Sequence, residues 1–277
     1  MKTQSNLLFL TLLLFLNANE STSQTQSYGS ISYNKAVNIS GKQRMLTQKM
    51  SKAYLLLAKG VYNDQIKKEL NSGKFIFEKQ LAILKKNAET TVVKLRIKRV
   101  EELWVKFKKL LITDPNLSTS SDIIKMNSDL LKACHEVVQA IESRSNYSNK
   151  FFKDNNQELV KIINISGKQR MLSQRLCLYY TASIMFPKEK DKYQEVLNNT
   201  FTEFSGTIDY LLINSYNTTE TEEELGSIMA IWEKFQIDKH GFLNGDFDLE
   251  EVFNITNSLT KSFNKITGIY EKIAKES

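Results

Sequence analysis

The stretch Asn38-Ile39-Ser40-Gly41-Lys42-Gln43-Arg44-Met45-Leu46 recurs without a change as Asn164 through Leu172, 126 positions further along a 277-residue chain. Chance does not repeat nine residues, and the match continues conservatively: Thr47 with Ser173, Gln48 with Gln174, Lys49 with Arg175, Met50 with Leu176. Fainter pairs keep nearly the same spacing. Leu103-Trp104-x-Lys106-Phe107 aligns with Ile231-Trp232-x-Lys234-Phe235, and Asn127-Ser128 with Asn257-Ser258. The only two tryptophans thus fall one to each copy. The duplication spans roughly 31–149 and 155–275, units of domain size rather than short solenoid repeats.

Each unit reads as four helices. Only 10 Gly and 2 Pro are present, which favours long helices over a sandwich or barrel with its many turns. In the first unit, periodicity predicts helices over 31–59, 61–87 and 91–112. The breaker Thr113-Asp114-Pro115-Asn116 follows, then a fourth helix capped by Ser121-Asp122 and running to about Tyr147. The second unit repeats the order over 155–186, 189–214, 220–238 and 248–275, with Pro187 ending its first helix. The expected class is all-α: two tandem up-down four-helix bundles, over 24–150 and 151–277. Nothing strongly interrupts 121–186, so the bundles are expected to be joined by a continuous helix, kinked near Ser145–Asn149, and strung in line.

Lys2, the apolar run Leu7–Leu16 and the polar, small-residue stretch to Ser23 lay out a secretory signal peptide over 1–23. The run is about half the length a bilayer span needs, and no Cys follows it for a lipid anchor. A periplasmic or secreted protein is expected. The net charge of +7 then points to small anions or an envelope surface rather than nucleic acid. Cys134 and Cys177, set in apolar helical segments, read as two buried thiols more readily than as a bridge.

Wound on a helix, the motif sorts into two stripes. Ile39, Leu46, Met50, Ala53 and Leu57 form a core stripe, as do Ile165, Leu172, Leu176 and Tyr179. Gly41, Arg44, Gln48 and Ser51 lie beside the first, and Gly167, Arg170 and Gln174 beside the second. A helix-interior Gly costs about 1 kcal/mol relative to Ala, so keeping one in both copies implies close approach of a backbone or a ligand. The Arg one turn along has the planar fork that suits oxyanions and carboxylates. The plainer alternative, and the better one on helix physics alone, is an interhelical salt bridge with the Gly easing packing.

The string Ile-Ser-Gly-Lys-Gln-Arg-Met-Leu-Ser/Thr-Gln resembles the first-helix motif of the PilJ/NarX-type extracytoplasmic sensor domain, found in type IV pilus chemoreceptors and nitrate/nitrite sensor kinases. The resemblance implies a four-helix sensor module in which the Arg meets its symmetry mate across a dimer interface and holds an anion. By motif position those roles fall on Arg44 and Arg170, with Gly41 and Gly167 permitting the approach and Gln48 and Gln174 on the same stripe. Lys42-Gln43 and Lys168-Gln169 depart from the nitrate sensors around the Arg. With no membrane span or output module in this sequence, a separate membrane signalling partner or envelope component is expected. The chain could pair its own units so that Arg44 and Arg170 flank one anion. An in-line arrangement, the one favoured here, would hold them apart and leave pairing to a homodimer.

Other features carry less. The acids between Asp238 and Glu251 lack calcium-loop spacing, and His135 and His240 have no second ligand at metal spacing. No metal, cofactor or catalytic constellation is expected, hence no enzyme. The Lys-rich 85–109 stretch reads as a wet helix face, or as a docking face for an acidic partner or membrane surface. The expected function is an exported sensor for a small anion, nitrate-like or carboxylate. The alternative is a structural bundle protein of the envelope without a small ligand.

Overall fold

The computed structural model describes residues 27–149 and 156–276; the signal peptide expected at 1–23 and the junction at 150–155 fall outside them. A two-stranded hairpin, β1 (Ser27–Tyr28) and β2 (Ile31–Ser32), leads into α1 (Tyr33–Ala58), α2 (Asp64–Asn87), α3 (Thr91–Leu111) and α4 (Leu117–Asn149). The second half holds α5 (Asn156–Met185), a 3-10 turn at Pro187–Glu189, α6 (Lys190–Leu212), α7 (Thr219–Ile237), the short α8 (Lys239–Asn244) and α9 (Leu249–Glu276). The fold is an all-α helical bundle, and no helix among the described residues is long and apolar enough to cross a membrane.

Local chemistry sets the boundaries. Asn63 and Thr90 cap α2 and α3 by accepting from the amides of Gln65 and Val93. The cap of α4 is Asn116, which accepts from Thr119 N at 2.9 Å; the helix therefore starts ahead of the expected Ser121-Asp122, as soon as Pro115 has been passed. A capping box of Thr218 and Thr221 opens α7. Between the helices expected over 220–238 and 248–275 stands α8, capped by Asp238 and closed by Gly245 at φ +94°. The hairpin turns at Gly29 (φ +60°), and Tyr28 anchors it by donating to Leu84 O at 2.9 Å.

The halves are not strung in line. Asn164 on α5 donates to Glu142 on α4 at 2.8 Å, whereas in one continuous helix residues 142 and 164 would stand about 33 Å apart. Arg44 on α1 reaches both His135 on α4 and Asn164 on α5. The expected in-line arrangement is thus corrected: the chain doubles back, and α1 packs along α5. Both run antiparallel to α9, Asn38 and Lys52 of α1 meeting Glu271 and Asn257, Arg170 and Gln174 of α5 meeting Asn264 and Asn257. The two motif helices are therefore parallel to each other. The physical reason is burial: from Tyr33 to Leu57, α1 is buried except along one stripe through Lys35, Lys42, Met45 and Lys49, which requires neighbours around most of its circumference. It has α2 and α4 on its own side and α5 on the other, within one continuous core.

Equivalent contacts recur in the two halves. Gln43 donates to Phe77 O and Gln169 to Phe204 O. Gln48 pairs with Asn127 and Gln174 with Asn257. Trp104 stacks on Phe77 at 4.3 Å, and Trp232 lies on Phe204 at 4.4 Å.

Candidate functional site

Both motif helices bury polar side chains. Ser40, Gln43, Arg44, Thr47 and Gln48 are buried on α1, and Ser166, Gln169, Arg170, Ser173 and Gln174 on α5, with Gln43 turned to α2 and Gln169 to α6. Both arginines are essentially solvent-free, at 1% and 0% exposure. A methyl group placed on Gly41 would lie 3.4 Å from Arg44 Nη2 and 3.6 Å from Arg170 Nη2. Gly41 is thus the point where the two guanidinium groups converge, and a Cβ there would come into van der Waals contact with both. Gly167 is tighter still on its own Arg170, whose Nη2 would sit 2.8 Å from an added Cβ.

Neither guanidinium is neutralised by contact, for no carboxylate lies within ion-pair distance of Arg44 or Arg170 among the described residues. Arg44 Nη2 donates to Asn164 Oδ1 at 2.8 Å, and its Nη1 stands 3.2 Å from His135 Nδ1. Glu142 acts one residue removed from Arg44, through Asn164, which donates to it; Asn38 donates to Glu271 without itself bonding to either arginine. Arg170 donates through Nη1 to Asn264 Oδ1 at 3.2 Å and through Nε to Gly167 O at 3.3 Å. The counterpart of the Arg44–Asn164 bond, Arg170 Nη2 to Asn38 Oδ1, is not made, and both atoms are buried without a hydrogen-bond partner. Arg44 Nε is likewise unpartnered. Buried unsatisfied donors are uncommon in folded proteins, and a specific one calls for an explanation.

With both Nη2 atoms within 3.6 Å of one point, the two groups stand no more than about 7 Å apart, where like charges at an effective dielectric of about 20 repel by about 2 kcal/mol or more. Burial, together with the neighbouring Arg44, pulls the Arg170 pKa down to about 9, and burial pulls that of Arg44 to about 10. Both remain cationic at neutral pH. The arrangement is a pair of buried, converging guanidinium donors that carry positive charge into the seam between α1 and α5.

Residues 29–130 match the type IV pili methyl-accepting chemotaxis transducer N-terminal family. That domain is a sensor-type signalling module, not a catalytic one. The match covers β2 and α1 to mid-α4, including Gly41, Arg44 and Gln48; Gly167, Arg170 and Gln174 lie beyond it. No curated protein and no solved structure matches the chain.

The other expected site residues stand one turn on from the arginines. Gln48 is tied into a reciprocal amide pair with Asn127. Gln174 donates to Asn257 and Thr260, leaving its Oε1 unpartnered. Within the transducer-like half, His135 is the site residue that sequence reasoning passed over; its counterpart in the second half, also on its arginine, is Asn264. Asn38 and Asn164 open the repeated block, and their conservation between copies was the available signal. The acids Asp238 and Asp248 serve as helix caps. Cys134 and Cys177 are unpaired and buried.

Two clefts flank the seam. One of about 440 Å³ lies between α4, α5 and α6 with Arg44 in its lining, and one of about 530 Å³ lies between α1, α2 and α9 with Arg170 in its lining.

His135 accepts from Arg44, so its Nδ1 carries no proton. Burial, Arg44 and Lys168 hold its pKa below the usual value, against the weaker pull of Glu136 and Glu203. Above about pH 6.5 the ring is neutral in both folded and unfolded chains. As pH falls through that value the unfolded chain takes up the proton first, so the folded state loses stability until the depressed folded-state pKa is passed. His135→Asn, copying Asn264, is expected to remove this component. Melting temperatures of the two proteins between pH 7.5 and 5 check it: the wild type should fall further, and parallel curves would refute the assignment.

Proposed function

We propose that Arg44 and Arg170 form one binding site for a small anion, nitrate-like or carboxylate, within a single chain. On this reading the protein is an exported sensor that reports to a separate signalling partner, and its two halves do what a pair of transducer subunits would do. The observation that carries it is Arg170 Nη2, buried and without a partner, facing Gly41 beside a second guanidinium that also lacks a carboxylate. The match over residues 29–130 supports the sensor role, and the leader-like sequence at 1–23 supports export. Gly41, Gly167, Gln48 and Gln174 belong to the site as the residues that let the arginines converge and brace the helices that carry them. Signalling follows if the anion binds one packing of α1 on α5 better than another, since equal affinity for both shifts nothing.

Thermal melts and calorimetry with nitrate, nitrite, sulfate, phosphate and acetate test the site. The expected result is saturable stabilisation by at least one of them, at one anion per chain; an anion at about 100 times its Kd adds about 2.7 kcal/mol. If none raises the melting temperature, the sensor reading fails and a helical scaffold of the envelope takes its place.

A further inference from the structure

Resting on the anion site just proposed, we infer that the ligand is a small organic acid whose head lies between Arg44 and Arg170 and whose apolar body occupies the cleft between α4, α5 and α6. Size is the first argument. That cleft holds about 440 Å³, within the range that small-molecule sites occupy. An inorganic oxyanion is little larger than a water molecule, whose share of the liquid is about 30 Å³, and would leave nearly all of it unused.

The second argument is the lining. Leu131 from α4, Met171 and Leu172 from α5 and Val196 from α6 bring apolar surface from all three walls. Leu131 and Val196 are only partly buried, so an occupant could cover them further. Charge in the cleft favours an anionic ligand. Lys168 is paired with Glu203, the one acid in the lining. Arg175, lying over the Tyr179 ring at 4.7 Å, and Lys132 have no ion pair among the described residues. The opposite cleft, on Arg170, also carries apolar side chains, Met45, Leu46 and Ile76, so variants of Leu131 and Val196 are needed to assign the apolar body to the first.

Calorimetry of the whole chain with nitrate and with acetate, propionate, butyrate and valerate tests the inference. Each methylene taken from water into the cleft should tighten binding by about two- to fourfold, full burial giving the upper figure. Valerate should therefore bind about tenfold or more tighter than acetate. Arg44→Met should abolish binding along the series, and Leu131→Gln should flatten the dependence on chain length. Val196→Gln, on a different helix, should flatten it too and guards against a folding defect in the first variant. If nitrate and acetate bind but the longer acids gain nothing, the inference is overturned while the anion site stands. A gain with length that survives Arg44→Met, or that neither wall variant alters, places the acids elsewhere and also overturns it. If neither nitrate nor any acid binds, the anion site itself falls.

Discussion

Replacing Glu69 by leucine is expected to destabilise the protein by about 3–5 kcal/mol, the usual cost of stranding a buried charge. Glu69 is 5% exposed and Lys52 is wholly buried. Lys52 Nζ lies 3.1 Å from Glu69 Oε2, donates to Asn257 Oδ1 at 2.8 Å and sits over the Phe253 ring at 4.4 Å. Asn257 donates back to Glu69 at 2.9 Å, and Lys49 adds a more exposed ammonium at 3.4 Å. Burial already lowers the Lys52 pKa, with Glu69 as the main opposing influence. Without the carboxylate, Lys52 folds as a neutral amine or not at all. A depressed lysine pKa adds stability that is fully present above the unfolded value, about 10.4, and is lost as pH falls through the folded one. The Glu69→Leu protein should therefore recover stability as pH rises into the alkaline range. The double variant Lys52→Leu/Glu69→Leu should regain most of the loss, since well-packed apolar residues commonly replace a buried pair at little cost. The chain itself uses leucine at the equivalent point of the second half, Leu178. Denaturant unfolding of the three proteins checks this; a single variant as stable as the wild type would mean the pair does not hold the α1–α2–α9 junction.

Most helices were legible because their apolar residues follow a helical period and because Pro115 and Pro187 fall where helices stop. Gly41 and Arg44 stood out because the second half repeats them. The side-by-side packing was not legible locally, since 121–186 contains no breaker to signal that α5 packs back against α4. Its signature lay elsewhere: Ser40, Gln43, Thr47, Gln48 and Ser51 share α1 with a full apolar stripe, and all of them are buried. A helix that buries polar residues as well as an apolar stripe needs neighbours on several sides: Gln43 bonds to α2, Gln48 to α4, and Arg44 to Asn164 of α5. His135 left no trace because its counterpart is Asn264, a different residue at a shifted spacing. Lys52 gave none because it lies among the apolar residues of the same helix. Asn127 and Asn257 were visible as alignment markers, but their role, holding Gln48 and Gln174, is a three-dimensional fact.

The Arg170→Met protein is expected to be more stable than the wild type in anion-free, low-salt buffer, and to lose the response to nitrate or acetate. Methionine fills a similar volume without charge and removes the repulsion from Arg44. Of the two acceptors it abandons, Asn264 is exposed and can turn to water, and Gly167 O lies within α5, where a helical partner serves it. Replacing buried charges by apolar groups of like size is often worth about 1–4 kcal/mol, and each kcal/mol raises the midpoint of a chain this long by about 2–4 °C. Arg44→Met should gain less, because it strands Asn164 Oδ1 and leaves His135 without its donor. The order is diagnostic: a group kept for function against stability yields a sturdier protein when removed, whereas a structural prop yields a weaker one. An Arg170→Met protein that melts below the wild type without any anion would show that Arg170 holds the seam together. The converging guanidinium groups would then be an interior strut, and the orphaned Nη2 no measure of a ligand.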